Sequence, residues 1–151
     1  MSRETKSAWV ISSSSVEKPW GDEVQWSSAG AVVVKTITLK KGQRNSFKYN
    51  SVKNELLICA SGKIRAYYGD EDLLTEGVGD LKVSILEEKM ALSVQSGCPY
   101  RLEAMEDSII LEVSSNERGI TGVNRIHDDY GRETVSLNEH MQRVLEKWFP
   151  T

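Results

Sequence analysis

Apolar positions along this chain recur with two different periods. "AVVVKTITLK" (Ala31–Lys40) is rich in β-branched residues and partly alternating, which predicts a strand. "ELLICA" (Glu55–Ala60), a Ser-Gly turn and "KIRAYY" (Lys63–Tyr68) read as a hairpin. "GDED" (Gly69–Asp72) reads as a turn. "LKVSIL" (Leu81–Leu86), the charged "EEK" and "MALSV" (Met90–Val94) read as a second hairpin, and "YRLEA" (Tyr100–Ala104) and "SIILEV" (Ser108–Val113) complete the set. Many short strands at close, regular spacing predict an all-β sandwich or barrel. Within the first hairpin Cys59 shares the parity of Glu55 and Leu57, so it is expected to face inward as a small hydrophobe.

The period changes near the C-terminus. In "SLNEHMQRVLEKWFPT", Ser136 stands three residues before Glu139, as in a capping box. Leu137, Met141, Val144, Leu145 and Trp148 then fall on one helical face, and Pro150 stops the helix. This amphipathic helix is expected to pack on the barrel or on a neighbouring subunit. Residues 1–15 are polar and serine-rich and read as a loose arm. The division expected is an arm over 1–15, a β body over 16–132 and a helical tail over 133–151, in one domain and without repeats.

Composition narrows the function classes. The net charge of −3 is spread over both signs, with no clustered basic face of the kind nucleic acid requires. No apolar run approaches the roughly 20 residues that span a bilayer. The first residues lack the apolar core of a signal peptide, so a cytoplasmic protein is expected. Cys59 and Cys98 lack CxxC spacing and are expected to be free thiols.

Four segments, in order, resemble the cupin domain of type II mannose-6-phosphate isomerases, a domain often fused behind a mannose-1-phosphate guanylyltransferase. "VEKPWGDEVQW" (Val16–Trp26) resembles that family's Lys-Pro-Trp-Gly opening followed by an acid. "GQRNSFKYNSVKNELLICASG" (Gly42–Gly62) places Gly42, Glu55 and Gly62 on the cupin spacing, and Gly42, Gln43, Ser46 and Tyr49 on the branch's "GQxxSxQYH" run. "VQSGCPYRLEA" (Val94–Ala104) is similar to "IPAGxPHRLEN", and "RIHDDYGR" (Arg125–Arg132) to "RxEDxYGR", with His127 where an acid is usual. The resemblance covers roughly Val16 to Arg132. It implies an all-β cupin double-stranded β-helix, a jelly-roll barrel, to which the C-terminal α-helix read from its own periodicity is joined. It also implies a homodimer paired through sheet edges, and a sugar phosphate or nucleotide sugar as the small-molecule partner.

The departures fall on the metal ligands. By the resemblance the four ligand positions are Lys48, Asn50, Glu55 and Tyr100. A protonated lysine repels a divalent ion, and a neutral amide and a protonated phenol are weak donors beside one carboxylate. No metal cofactor is expected; a weak divalent ion on Glu55 and Asn50 is the residual alternative. If the family geometry holds, Lys48 and Glu55 point into the barrel and pair there. At about 4 Å and an effective dielectric near 20, such a pair attracts by roughly 4 kcal/mol before desolvation.

Three functions stay open on these residues. An isomerase would use Glu55 as base, Lys48 to hold a developing oxyanion and Tyr100 as acid. A metal-free epimerase would pair a histidine base with a tyrosine acid, and His127 beside Asp128 is the candidate base outside the final helix. A non-catalytic binding or assembly module would keep the barrel and lose the site. Arg101 and Arg132 are candidate phosphate grips, or else partners of Glu103, Asp128 and Asp129. Asn50 and Trp20 complete the candidate substrate contacts, Trp20 with Pro19 reading equally as a structural turn. His140 edges the helical stripe and reads as a packing or surface residue.

Overall fold

The computed structural model describes residues 5–27, 32–115 and 122–151. Eleven strands are described: β1 (Ser14–Lys18), β2 (Gly21–Ser27), β3 (Val32–Leu39), β4 (Phe47–Asn50), β5 (Glu55–Ser61), β6 (Ile64–Tyr68), β7 (Lys82–Leu86), β8 (Ala91–Val94), β9 (Tyr100–Ala104), β10 (Ser108–Ser115) and β11 (Val123–His127). Two helices join them, α1 (Asp72–Thr75) and α2 (Glu139–Trp148). The strands form a six-stranded sheet, β1-β2-β3-β10-β5-β8, and a five-stranded sheet, β11-β4-β9-β6-β7. Every pairing is antiparallel.

The two expected hairpins do not form. β5 pairs with β10 and β8, whereas β6 pairs with β7 and β9. The segments are instead two arms of one long ribbon, with β5 on β8 and β6 on β7, bent so that its halves join opposite sheets. The bend falls at the Ser-Gly step. Gly62 has φ +87°, and a Cβ there would lie 2.3 Å from Ser108 Oγ and 2.5 Å from the Asp107 carbonyl oxygen. A Ser-Gly pair makes a tight turn and a sheet-switching corner equally well, so local sequence does not distinguish them. The "GDED" turn runs on into α1. β1 begins at Ser14, inside the segment expected to be a loose arm, and β4 and β11 pair at the edge of the five-stranded sheet. Ala31, at the start of the strand expected over 31–40, lies outside the described residues.

Between the sheets lies the main core, built on Trp20, Ile37, Leu39, Leu57, Cys59, Leu102 and Ile110. A second cluster covers the outer side of the five-stranded sheet, where Met141, Val144, Leu145 and Phe149 of the α2 region meet Phe47, Tyr67 and Ile126. Phe149 sits edge-on to Tyr67 with ring centroids 5.1 Å apart. Each such buried side chain contributes roughly 1.5–3 kcal/mol. The helix therefore docks on its own barrel. Its cap is Asn138 and not Ser136: the Asn138 side chain accepts from the Met141 N–H at 2.7 Å. Among the described residues no helix is long and apolar enough to cross a membrane.

Candidate functional site

Inward-facing side chains of six strands converge inside the barrel. The cleft there is lined by Glu23 (β2), Lys35 (β3), Lys48 and Asn50 (β4), Glu55 (β5), Tyr100 (β9) and Glu112 (β10), with Tyr49, Lys53 and Val123 at its margin. Tyr100 and Glu55 are 1% and 9% exposed. Tyr100 Oη donates to Glu55 Oε2 at 2.8 Å. Lys35 Nζ bridges two carboxylates, Glu23 at 3.8 Å and Glu112 at 3.9 Å. Lys48 Nζ lies over the Tyr100 ring, 5.9 Å from its centroid.

The expected Lys48–Glu55 ion pair is not formed. Among the described residues no carboxylate comes within 4.0 Å of the Lys48 ammonium, and Glu55 takes its hydrogen bond from Tyr100. A phenol across the barrel reaches the carboxylate instead, and the Lys48 ammonium is left over the face of that phenol's ring.

The electrostatics of the cluster follow first from its burial. Burial draws the Lys48 ammonium below the ordinary lysine range, against the pull of Glu112 and Glu55. Burial, then the Glu55 and Glu112 charges, holds the Tyr100 phenol well above its usual value. Burial and the neighbouring Glu55 carboxyl push Glu112 up to about 7, although Lys35 and Lys48 oppose this. Within the cluster, desolvation thus disfavours the charged forms of Lys48, Tyr100 and Glu112.

These residues do not fit a metal. Asn50 Oδ1 accepts from the Val52 and Lys53 amides, both at 2.9 Å, so its oxygen is committed to the backbone turn. Tyr100 is a donor to Glu55, and Lys48 brings a cation. Among the described residues no group of three or more His, Cys, Asp or Glu side chains is arranged to hold a metal ion.

The remaining candidates lie elsewhere. Arg101 is on the outward side of β9, fully buried under α2: its Nε donates to the Asn45 carbonyl at 2.7 Å and an Nη to His127 Nδ1 at 3.1 Å. Its other Nη is 3.3 Å from Asp129 Oδ1, and the guanidinium stacks 4.6 Å from the Phe149 ring centroid. No ligand reaches it there. Arg132 closes a fork on Asp128, with Nη2 to Oδ1 at 2.8 Å. His127 sits on β11 beside Phe149, in a surface cleft with Gln142 and Leu145 and apart from the barrel interior. Burial and then Arg101 lower its pKa, which favours the neutral ring. Trp20 is 3% exposed and part of the main core; it borders a surface groove of about 610 Å3 with Lys18, Lys40 and Gln43, apart from the barrel interior. His140 Nε2 donates to the Gly79 carbonyl at 2.7 Å, tying α2 to the loop before β7. Cys59 and Cys98 are free thiols, both shifted upward chiefly by burial.

Sequence reasoning missed Glu23, Lys35 and Glu112. A signal was present: Lys35 has the parity of Val33 and Ile37, and Glu112 that of Ile110, so both charges stand in the inward phase of their strands.

No family profile matches the sequence, and no curated protein matches it. Solved structures do share the fold. A variant of oxalate decarboxylase from Bacillus subtilis superposes with TM-score 0.65 at 15% identity, over 76% of this chain and 30% of that one. KdgF from Halomonas sp. gives TM-score 0.56 at 11% identity, over 68% and 85%. CapF, a capsular polysaccharide assembling protein from Staphylococcus aureus, gives 0.62 at 12%, over 78% and 35%. The chain therefore spans about a third of the length of oxalate decarboxylase and of CapF. At these identities the likeness carries the fold: an all-β cupin jelly roll.

Proposed function

We propose that this chain is a carbohydrate-related cupin of the mannose-6-phosphate isomerase type that serves as a non-catalytic binding or assembly module, cytoplasmic and homodimeric. The observation that carries the reading is the filled barrel. The interior cleft offers about 40 Å3, room for a few water molecules. Pockets that enclose small ligands run to about 300–1,000 Å3. Where an isomerase needs a sugar phosphate, this barrel holds Lys35 between Glu23 and Glu112, and Tyr100 on Glu55. The four family motifs and the fold shared with CapF support the carbohydrate setting.

A second reading, a metal-free isomerase or epimerase, has one observation on its side. Glu112, shifted to about 7, stands in the same cleft as Lys48, Glu55 and Tyr100, and perturbed groups in a cleft mark functional sites more often than chance. It would make Glu112 or Glu55 the base, Tyr100 the acid and Lys48 the oxyanion holder.

Calorimetric titration with mannose 6-phosphate and with a guanine-nucleotide sugar tests the first reading. No saturable heat should depend on barrel residues. Binding by the wild type that Lys48→Met and Tyr100→Phe both abolish, in variants that remain folded, overturns it.

A further inference from the structure

The two sheets differ on their outer sides. α2 and its cluster cover the five-stranded sheet. The six-stranded sheet carries, across its middle rows, a largely apolar outer face that belongs to neither core cluster, with Asp22 and Glu17 at its β1–β2 corner. Register places Trp26, Val34, Val113 and Leu56 in one row across β2, β3, β10 and β5. The next row brings Leu111 beside Ile58. These positions alternate with the buried Val33, Glu112 and Leu57, so they point outward. Both rows end on β8, at Ser93 and Ala91, again without a charge. Val32, Leu56 and Ile109 are 47%, 38% and 41% exposed. A shallow groove of about 350 Å3 runs along Val32, Leu56 and Val113, with Asn54, Glu55 and Ser115 at its end.

We infer that this face is where a second copy of the chain docks, sheet face to sheet face. Its size suits the role. Five strands at about 4.8 Å spacing and about seven residues long at roughly 3.3 Å each present on the order of 500 Å2 in projection. Side-chain relief raises that toward the ~800 Å2 per partner of a standard interface. Apolar patches beyond a few hundred Å2 on a folded surface mark interaction sites. The chemistry selects the partner. The two rows hold no charge with which to choose an oppositely charged protein; Thr36 and Ser93 are their polar members, and a mainly apolar face is complementary to itself under a two-fold axis. The arm leading into β1, on the edge of the same sheet, exposes Trp9, Val10 and Ile11 at 62%, 97% and 43%. It extends the apolar surface that a second copy would cover. This contact lies on the sheet's face, unlike the edge pairing that the sequence resemblance implies, and it stands whether or not the barrel is catalytic.

Sedimentation velocity on the full chain tests it. The wild type should sediment as a particle of twice 16.9 kDa at micromolar loading. Val113→Lys, on the face, should raise the dimer dissociation constant on the order of 100-fold while the far-ultraviolet circular dichroism is unchanged. Ile85→Lys, an exposed position on the opposite sheet, should leave the dimer intact. Leu56→Asn, a milder change in the same row, serves if Val113→Lys does not fold. A monomeric wild type, a dimer that survives both face variants, or one broken by Ile85→Lys and not by the face variants overturns the inference.

Discussion

The Tyr100 phenol on β9 and the Glu55 carboxylate on β5 meet across the barrel interior, Oη to Oε2 at 2.8 Å, joining the two sheets through one hydrogen bond. A buried carboxylate that loses its donor keeps its desolvation cost. Tyr100→Phe should therefore destabilise the fold by about 1–3 kcal/mol in urea unfolding. The double variant Tyr100→Phe/Glu55→Gln should recover part of the loss, because the remaining group is neutral. A Tyr100→Phe protein as stable as wild type would show that the bond contributes nothing.

Glu112 supplies a pH dependence. Its carboxyl is raised from 4.5 to about 7 in the fold, by burial and then by Glu55. Between those two values the folded state holds the proton and the unfolded chain has lost it, so ∂ΔG/∂pH of unfolding is negative. This group's contribution is complete below pH 4.5, falls as pH rises, and is lost above about 7. Glu112→Gln should flatten that slope. Urea midpoints at several pH values read the slope, and carbon NMR of the glutamate carboxyls reads the titration directly. An ordinary carboxylate titration at Glu112 would contradict the network.

Much of this architecture is legible in the sequence. Alternation found the β-branched strands because burial on one face leaves a period of two, and the 3.6 period found α2. The strand partners were not legible: β5 and β6 are neighbours in sequence joined by Ser-Gly, and only tertiary packing places them in opposite sheets. Glu55, Lys48 and Tyr100 stand out through the family resemblance, at its ligand positions, and the structure brings them together. Lys35 and Glu112 do not, because a charge on a strand is read as solvent-facing unless its phase is compared with the apolar residues around it. Arg101 and Arg132 looked alike in sequence as phosphate grips, yet burial and carboxylate partners tie both into the structure.

That pair gives a contrast. Arg101 is 0% exposed and its guanidinium joins Asn45, His127 and Phe149 beneath α2. Arg101→Ala should cost about 3–5 kcal/mol and free α2, since the change breaks a buried polar network and opens a cavity. Arg132→Ala, at a half-buried fork on Asp128, should cost about 1 kcal/mol or less. Thermal unfolding of the two variants decides, and equal effects would contradict the structural role assigned to Arg101.

Asp80 anchors the far end of α2. It accepts from the Trp148 indole at 2.6 Å and pairs with Lys147. Hydrogen bonds from Lys147 and Trp148 lower its pKa from 3.8 to about 2. The anchor is complete above about pH 4 and is lost as pH falls through about 2. Asp80→Asn should loosen the helix end at neutral pH, read as a shift in tryptophan emission and faster amide exchange over residues 145–149. Unchanged exchange there would count against the anchor.

The claim on which the account turns is that the barrel is filled and does no sugar chemistry. Incubating the wild type with mannose 6-phosphate in deuterated water, and following loss of the C2 proton by NMR, tests this most directly. Exchange should be no faster with wild type than with Glu55→Gln or Glu112→Gln. Exchange catalysed by the wild type and abolished by either substitution would contradict it and make the Glu55–Tyr100–Glu112 cluster an active site.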